Sequence, residues 1–164
     1  MELPSDYIRV RQLISVSEVS YGIGGIKLFN TEEIEEGQVG YSVAPDGRSL
    51  CGDGAGEWQP GWIAVGYETA CGDPLFIETT DRSLPVFTAV HGEGSWQPKS
   101  VAISFDAFAS CLREFAKLAN GRANPVELEN NPLPESDRNA FFERIAELNG
   151  RGFDPAFWAL MVEF

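Results

Sequence analysis

The stretch 61–115 reads GWIAVGYETACGDPLFIETTDRSLPVFTAVHGEGSWQPKSVAISFDAFASCLREF, and its pattern decides the fold class. Three short apolar runs, 62–67, 74–79 and 85–90, are separated by Gly, Asp and Pro. Ile63, Val65 and Tyr67 fall on one face of the first run, Leu75 and Ile77 on one face of the second, and Val86, Thr88 and Val90 on one face of the third. That is the alternation of strands. The GD- and SLP-type turns between them are too short for the crossover that a parallel pair needs, so the strands pair antiparallel. Ser104 then stands where an N-cap should, before FDAFASCLREFAKLAN. Phe105, Phe108, Ala109, Leu112, Phe115, Ala116 and Ala119 recur there at the spacing of a buried helical stripe, and Asn120-Gly121 ends it. Strands followed by a covering helix make an α+β core.

On the N-terminal side, residues 4–14 place Tyr7, Val10, Leu13 and Ile14 at helical spacing after Pro4. The Gly-rich YGIGGI (21–26) breaks that pattern, and IKLF (26–29) alternates as a strand. TEEIEEG (31–37) reads as one or two capped helical turns. Residues 37–61 read as a loop or loose hairpin with a strand at QVGYSV (38–43), and SLCGDGAGEW (49–58) as a mobile, exposed binding loop.

On the C-terminal side, 121–135 is a Pro- and Asn-rich linker. A helix from near Ser136 buries Phe141, Phe142, Ile145 and Leu148, and Asp154-Pro155 starts a last helix carrying Phe157, Leu160, Met161 and Phe164. The chain reads as one domain over 1–164, with a core at about 4–118 and a helical extension, 122–164, packed on it.

Composition narrows the function classes. Against 12 Lys and Arg stand 25 Asp and Glu, a formal charge of −13. This argues against nucleic acid or an anionic membrane as partner, since phosphate binding draws on clustered cations, and it permits steering towards a basic protein. Acidity that serves only solubility is the plainer alternative. The start MELPSDYIRVRQLIS is not that of a secretory signal, and no apolar run approaches the roughly 20 residues of a membrane span. Cys51, Cys71 and Cys111 share no metal-type or redox-type spacing, which points to free thiols and a reducing, cytoplasmic setting.

No catalytic signature stands out. His91 is the single histidine, and a Cys–His hydrolase would need Cys71 or Cys111 within its reach. Glu68, Asp73, Glu78, Asp81 and Glu93 lie in or beside the central strands. Paired carboxylates could run acid–base hydrolysis or hold a divalent cation, but a solvated acidic face is the simpler account. APDGRSLCGDG lacks the ligands of a calcium loop, and YGIGGI lacks the following helix of a dinucleotide fingerprint. Trp62 and Trp158 sit in periodic segments and read as core. Trp58 and Trp96 sit in Gly-rich loops that share the tripeptide WQP, and serve either as interface anchors or as lids over the sheet.

Four segments carry a family resemblance: GIKLFNTEEI (25–34), WIAVGYETACGDPLFIETT (62–80), PVFTAVHGEGSW (85–96) and VAISFDAFASCL (101–112). Together, over about 4–118, they resemble the SUKH superfamily in its Smi/Knr-like branch, with Cys71 where the first Gly of the turn is usual. The resemblance implies a twisted, mainly antiparallel sheet flanked by helices, with Gly72 and Asp73 at the turn, Ser104 as cap and Phe105 and Phe108 on the helix. Such proteins are bacterial immunity proteins that neutralise toxins, or scaffold-like regulators of cell-wall synthesis, and are not known as enzymes. The expectation is therefore a non-enzymatic protein-binding domain, most of all an immunity protein that meets a basic toxin domain through an acidic face. The alternatives are an adaptor or, behind it, a carboxylate or Cys/His hydrolase. Glu57, Trp58, Glu68, Asp73, Asp81, Glu93 and Trp96 are the expected contact residues; no catalytic residue, metal or cofactor is expected.

Overall fold

A computed structural model describes residues 1–163. Helix α1 (Ser5–Leu13) leads into strands β1 (Glu18–Tyr21) and β2 (Gly24–Leu28), and a single 3₁₀ turn follows at Glu36–Gln38. Strands β3 (Trp62–Glu68), β4 (Pro74–Glu78), β5 (Val86–Thr88) and β6 (Lys99–Ala102) come next. The chain closes with α2 (Phe105–Ala119), α3 (Pro125–Asn130), α4 (Glu135–Asn149) and α5 (Ala156–Val162). The six strands form one sheet in chain order, every neighbouring pair antiparallel, which is the α+β arrangement expected.

One face of the sheet packs on the helices. Ile26, Leu28, Ile63, Val65, Leu75, Ile77, Val86 and Val101 meet Tyr7 and Val10 of α1 and the stripe Phe105, Phe108, Leu112 and Phe115 of α2. Ser104 caps α2, its hydroxyl accepting from Ala107 N–H at 3.0 Å. Helices α4 and α5 belong to the same core: Phe141, Ile145, Phe157, Trp158 and Val162 are buried in it. They also seal the outer edge of β6, because Trp158 Nε1 donates to Val101 O at 2.9 Å and Ile103 N–H donates to Asn149 Oδ1 at 2.9 Å. An edge strand otherwise offers unpaired backbone groups to other chains.

The other face is covered by irregular chain. Ala64, Phe76 and Ala89 of the sheet pack under Trp58, with Tyr41, Trp62, Phe87 and Trp96 around it. Gln38 pins this layer down. Its side-chain amide accepts from Ala64 N–H at 3.0 Å and donates to Ala64 O at 2.9 Å and to Ile34 O at 2.7 Å. Strand β2 leaves β3 after the bond Phe29 N–H to Val65 O, and the Gln38 amide takes its place beside Ala64.

Several elements differ from the sequence reading, each for a physical reason. The alternation at 38–43 is not a strand: Tyr41, Ser42 and Val43 donate their N–H groups back to Gln38 O, which makes tight turns. Residues 31–37 form turns that close in the 3₁₀ turn rather than a helix. Tyr67 does not share a face with Ile63 and Val65. A bulge between Ala64 and Gly66 inserts a residue and turns Tyr67 to the loop side, where its ring lies 6.0 Å from Phe29. Gly66 permits this close strand approach, since a Cβ there would sit 2.2 Å from Lys27 O. Strands β1 and β6 were not anticipated, and α3, capped by Asn124, lies within the expected linker. Phe164 lies outside the described residues.

Gln38→Ala would orphan both backbone groups of Ala64 in a buried setting, so we expect a loss of about 3 kcal/mol, read as a lower urea midpoint at unchanged m-value.

Candidate functional site

The turn between β3 and β4 is built around one carboxylate. Glu68 accepts from three backbone N–H groups: Ala70 at 2.9 Å through Oε2, and Cys71 at 2.8 Å and Asp73 at 3.0 Å through Oε1. The backbone closes the same turn, with Glu68 N–H donating to Asp73 O and Gly72 N–H to Glu68 O. Gly72 has φ +80°, a left-handed conformation that costs a side-chain-bearing residue more than glycine. Successive N–H groups aimed at one anion form a nest. Glu68 is therefore an internal part of the turn, only 6% exposed, and is not presented to a partner as expected.

Asp73 follows in the same turn, and its Oδ1 accepts from His91 N–H at 2.9 Å and lies 2.9 Å from His91 Nδ1. This contact ties the β3–β4 turn to the loop after β5. Cys71 is exposed and free, and among the described residues no hydrogen bond joins its sulfur to His91. Cys111 is different. It is buried on α2, accepts from Asn149 Nδ2 at 3.3 Å, and burial pushes its thiol up to about 11.

The loop layer gathers some of the expected residues. Trp58 is 1% exposed: it is the lid of the second core and not an interface anchor, because the sheet's apolar face needs a large side chain above Phe76. Its Nε1 donates to Trp62 O at 3.1 Å. Trp96, half-buried, meets it edge-on at 5.2 Å, and Trp96 N–H donates to Gly56 O. The two WQP loops thus lie against each other. They bring Glu57 and Glu93, both exposed, onto two touching segments beside exposed Asp53. Among the described residues none of these three enters an ion pair. Glu57 accepts from Gly54 N–H at 2.7 Å. Asp81 stands apart, since the length of β4 separates it from Asp73. There the hydroxyl and N–H of Ser83 hold its carboxyl below the usual range.

Sequence reasoning missed a cavity. On the helix-facing side of the sheet lies a cleft of about 760 Å³ between α5 and the ends of β2, β3, β5 and β6. Phe157, Leu160 and Met161 of α5 form its apolar wall, with Ala70 and Val90 from the turns, and Glu68, Thr88 and Lys99 supply polar groups. Leu160, placed in the sequence reading with the apolar residues of the last helix, is 52% exposed here, and no sequence signal marked it as a cavity wall. The described residues hold no group of three or more His, Cys, Asp or Glu side chains placed to bind a metal ion, and no helix among them is long and apolar enough to cross a membrane. Comparison with protein-family models, with curated proteins and with solved structures finds no match.

Two outcomes follow from this geometry. In the native protein a thiol reagent should label Cys71 rapidly and Cys111 only as the protein unfolds. Glu68→Ala should cost about 2 kcal/mol of unfolding free energy, because three turn N–H groups lose a charged acceptor, and Glu68→Gln should cost less.

Proposed function

We propose that this chain is a non-enzymatic protein-binding domain, acting as an immunity protein that occupies a basic toxin domain through its loop layer. The observation that carries the reading is the unpaired acidity of that layer. Asp53, Glu57 and Glu93 are exposed, carry no cationic partner among the described residues, and stand on loops held by the Trp58–Trp96 contact. Carboxylates offered from a fixed support suit a cationic groove shaped for phosphate, because little conformational freedom is lost on docking. The charge of −13 adds steering at a distance. Trp96, half-buried at the edge of the layer, offers apolar area beside the charges. Cytoplasmic residence belongs to this reading, as does the resemblance to SUKH proteins.

A second reading has one specific observation behind it. The Asp73–His91 contact has the form of an oriented base, with Cys71 two residues from the carboxylate in sequence. Under the protein-binding reading, His91→Gln leaves the alkylation rate of Cys71 within about twofold; a drop of tenfold or more would favour the hydrolase.

The decisive measurement is co-purification of the tagged chain from its native host at about 0.05 M and about 0.5 M salt. One stoichiometric basic partner, toxic when produced alone and released by the higher salt, is the expected result. Reversing Glu57 and Glu93 to Lys should then weaken the complex about tenfold, mostly through slower association, while Asp81→Lys on the far end of β4 leaves it nearly unchanged. A neutral cellular partner would move the assignment to an adaptor.

A further inference from the structure

The cleft beneath α5 holds polar groups whose needs differ sharply. Its three carboxylates are already met by donors: Glu68 by the N–H groups of Ala70, Cys71 and Asp73, Asp73 by His91, and Asp154 by Ala156 N–H at 3.0 Å. Two other groups are not met. Lys99 is the only Lys or Arg in the lining and has no ion-pair or hydrogen-bond partner among the described residues. Thr88, 8% exposed, carries a buried Oγ1 with no hydrogen-bond partner among the described residues. The two stand opposite each other in the β5–β6 register, so both belong to the helix-facing wall. A buried polar atom without a partner in a folded protein calls for an explanation, such as a bound ligand or water.

We propose that this cleft binds a small amphiphile with one carboxylate, its apolar body along Phe157, Leu160 and Met161 and its head at Lys99. The Thr88 hydroxyl, which can rotate to donate, lies beside that head. A cationic head would meet carboxylates already engaged by N–H groups and would stand against Lys99. The volume of about 760 Å³ lies within the range of pockets that enclose small organic ligands. The net charge of −13 opposes an anion at long range, but at about 0.15 M salt that field is screened beyond roughly 8 Å, and the local ammonium governs. The site lies on the opposite face of the sheet from the loop layer, so it does not depend on the protein-binding reading.

The test is titration of the full chain with decanoate at about 0.15 M salt, followed by calorimetry and by backbone amide shifts. Saturable binding of one decanoate per chain is expected, with shifts concentrated in α5, residues 88–90, the start of β6, the turn at 70–73 and the start of β2. Lys99→Met should weaken it about tenfold, and because Lys99 is exposed the fold is not at risk. Leu160→Glu, on another exposed residue, should abolish it with the circular dichroism unchanged. The Glu57→Lys, Glu93→Lys double variant should bind decanoate as the unaltered chain does, which keeps this site separable from the protein interface. Absence of saturable binding to the folded chain overturns the proposal. So does equal or tighter binding of decyltrimethylammonium or decanol, or a Lys99→Met variant that binds decanoate as well as before.

Discussion

The pairing of the Gln38 side chain with both backbone groups of Ala64 is the constraint on which the two-sided sheet depends. Where β2 turns away from β3, the backbone of Ala64 would face apolar surroundings with nothing to bond. A buried peptide group in that state is costly, so something must fill the gap. A primary amide presents one donor and one acceptor side by side, as a peptide does, and Gln38 supplies it from a 3₁₀ turn. The same requirement recurs at β6, where Trp158 and Asn149 serve the outer edge, and at the β3–β4 turn, where Glu68 collects three N–H groups. Side chains thus take the place of backbone partners at these three points. The Gln38 contact also fixes where the loop layer begins, and that layer is what lets Trp58 close the second face.

The legible parts of the sequence were those with a repeating pattern. Helix α2 shows four turns of apolar residues, a serine cap and a terminal Asn-Gly, and all three cues agree. The strands at 62–68 and 74–78 were legible for the same reason. Strands β1 (EVSY) and β6 (KSVA) are four residues each and mix polar with apolar positions, too short for a period to declare itself. The flip of Tyr67 came from the bulge, since one inserted residue reverses every later side chain. The valines at 39 and 43 mimic alternation, yet the segment bonds to itself around Gln38 O.

The candidate site was legible only as composition. Counting acidic residues cannot distinguish Glu68, folded into its own turn, from Glu57 and Glu93, which are exposed with no ion pair among the described residues. Nor does it separate Asp81 from Asp73, because only the structure shows that the length of β4 lies between them. Trp58 in a Gly-rich run carries no period to mark it as core; the repeated WQP was the clue, and the edge-on contact between the two tryptophans explains it. The cleft depends on α5 crossing strands distant in sequence, and no local pattern encodes such a crossing.

The bond from Trp158 to Val101 spans 57 residues, and it bears on how the chain emerges during synthesis. The strands follow one another in order, so each can pair with its predecessor as soon as it is free. The outer edge of β6 cannot be closed until Trp158 has been made. At roughly 5–20 residues per second, the ribosome takes about 3–11 seconds to cover that interval. A sheet formed in that time would keep its β6 edge raw, on a polypeptide whose high negative charge repels its neighbours on the same message. Acidity is then a protective property of the growing chain as well as a surface feature of the finished one.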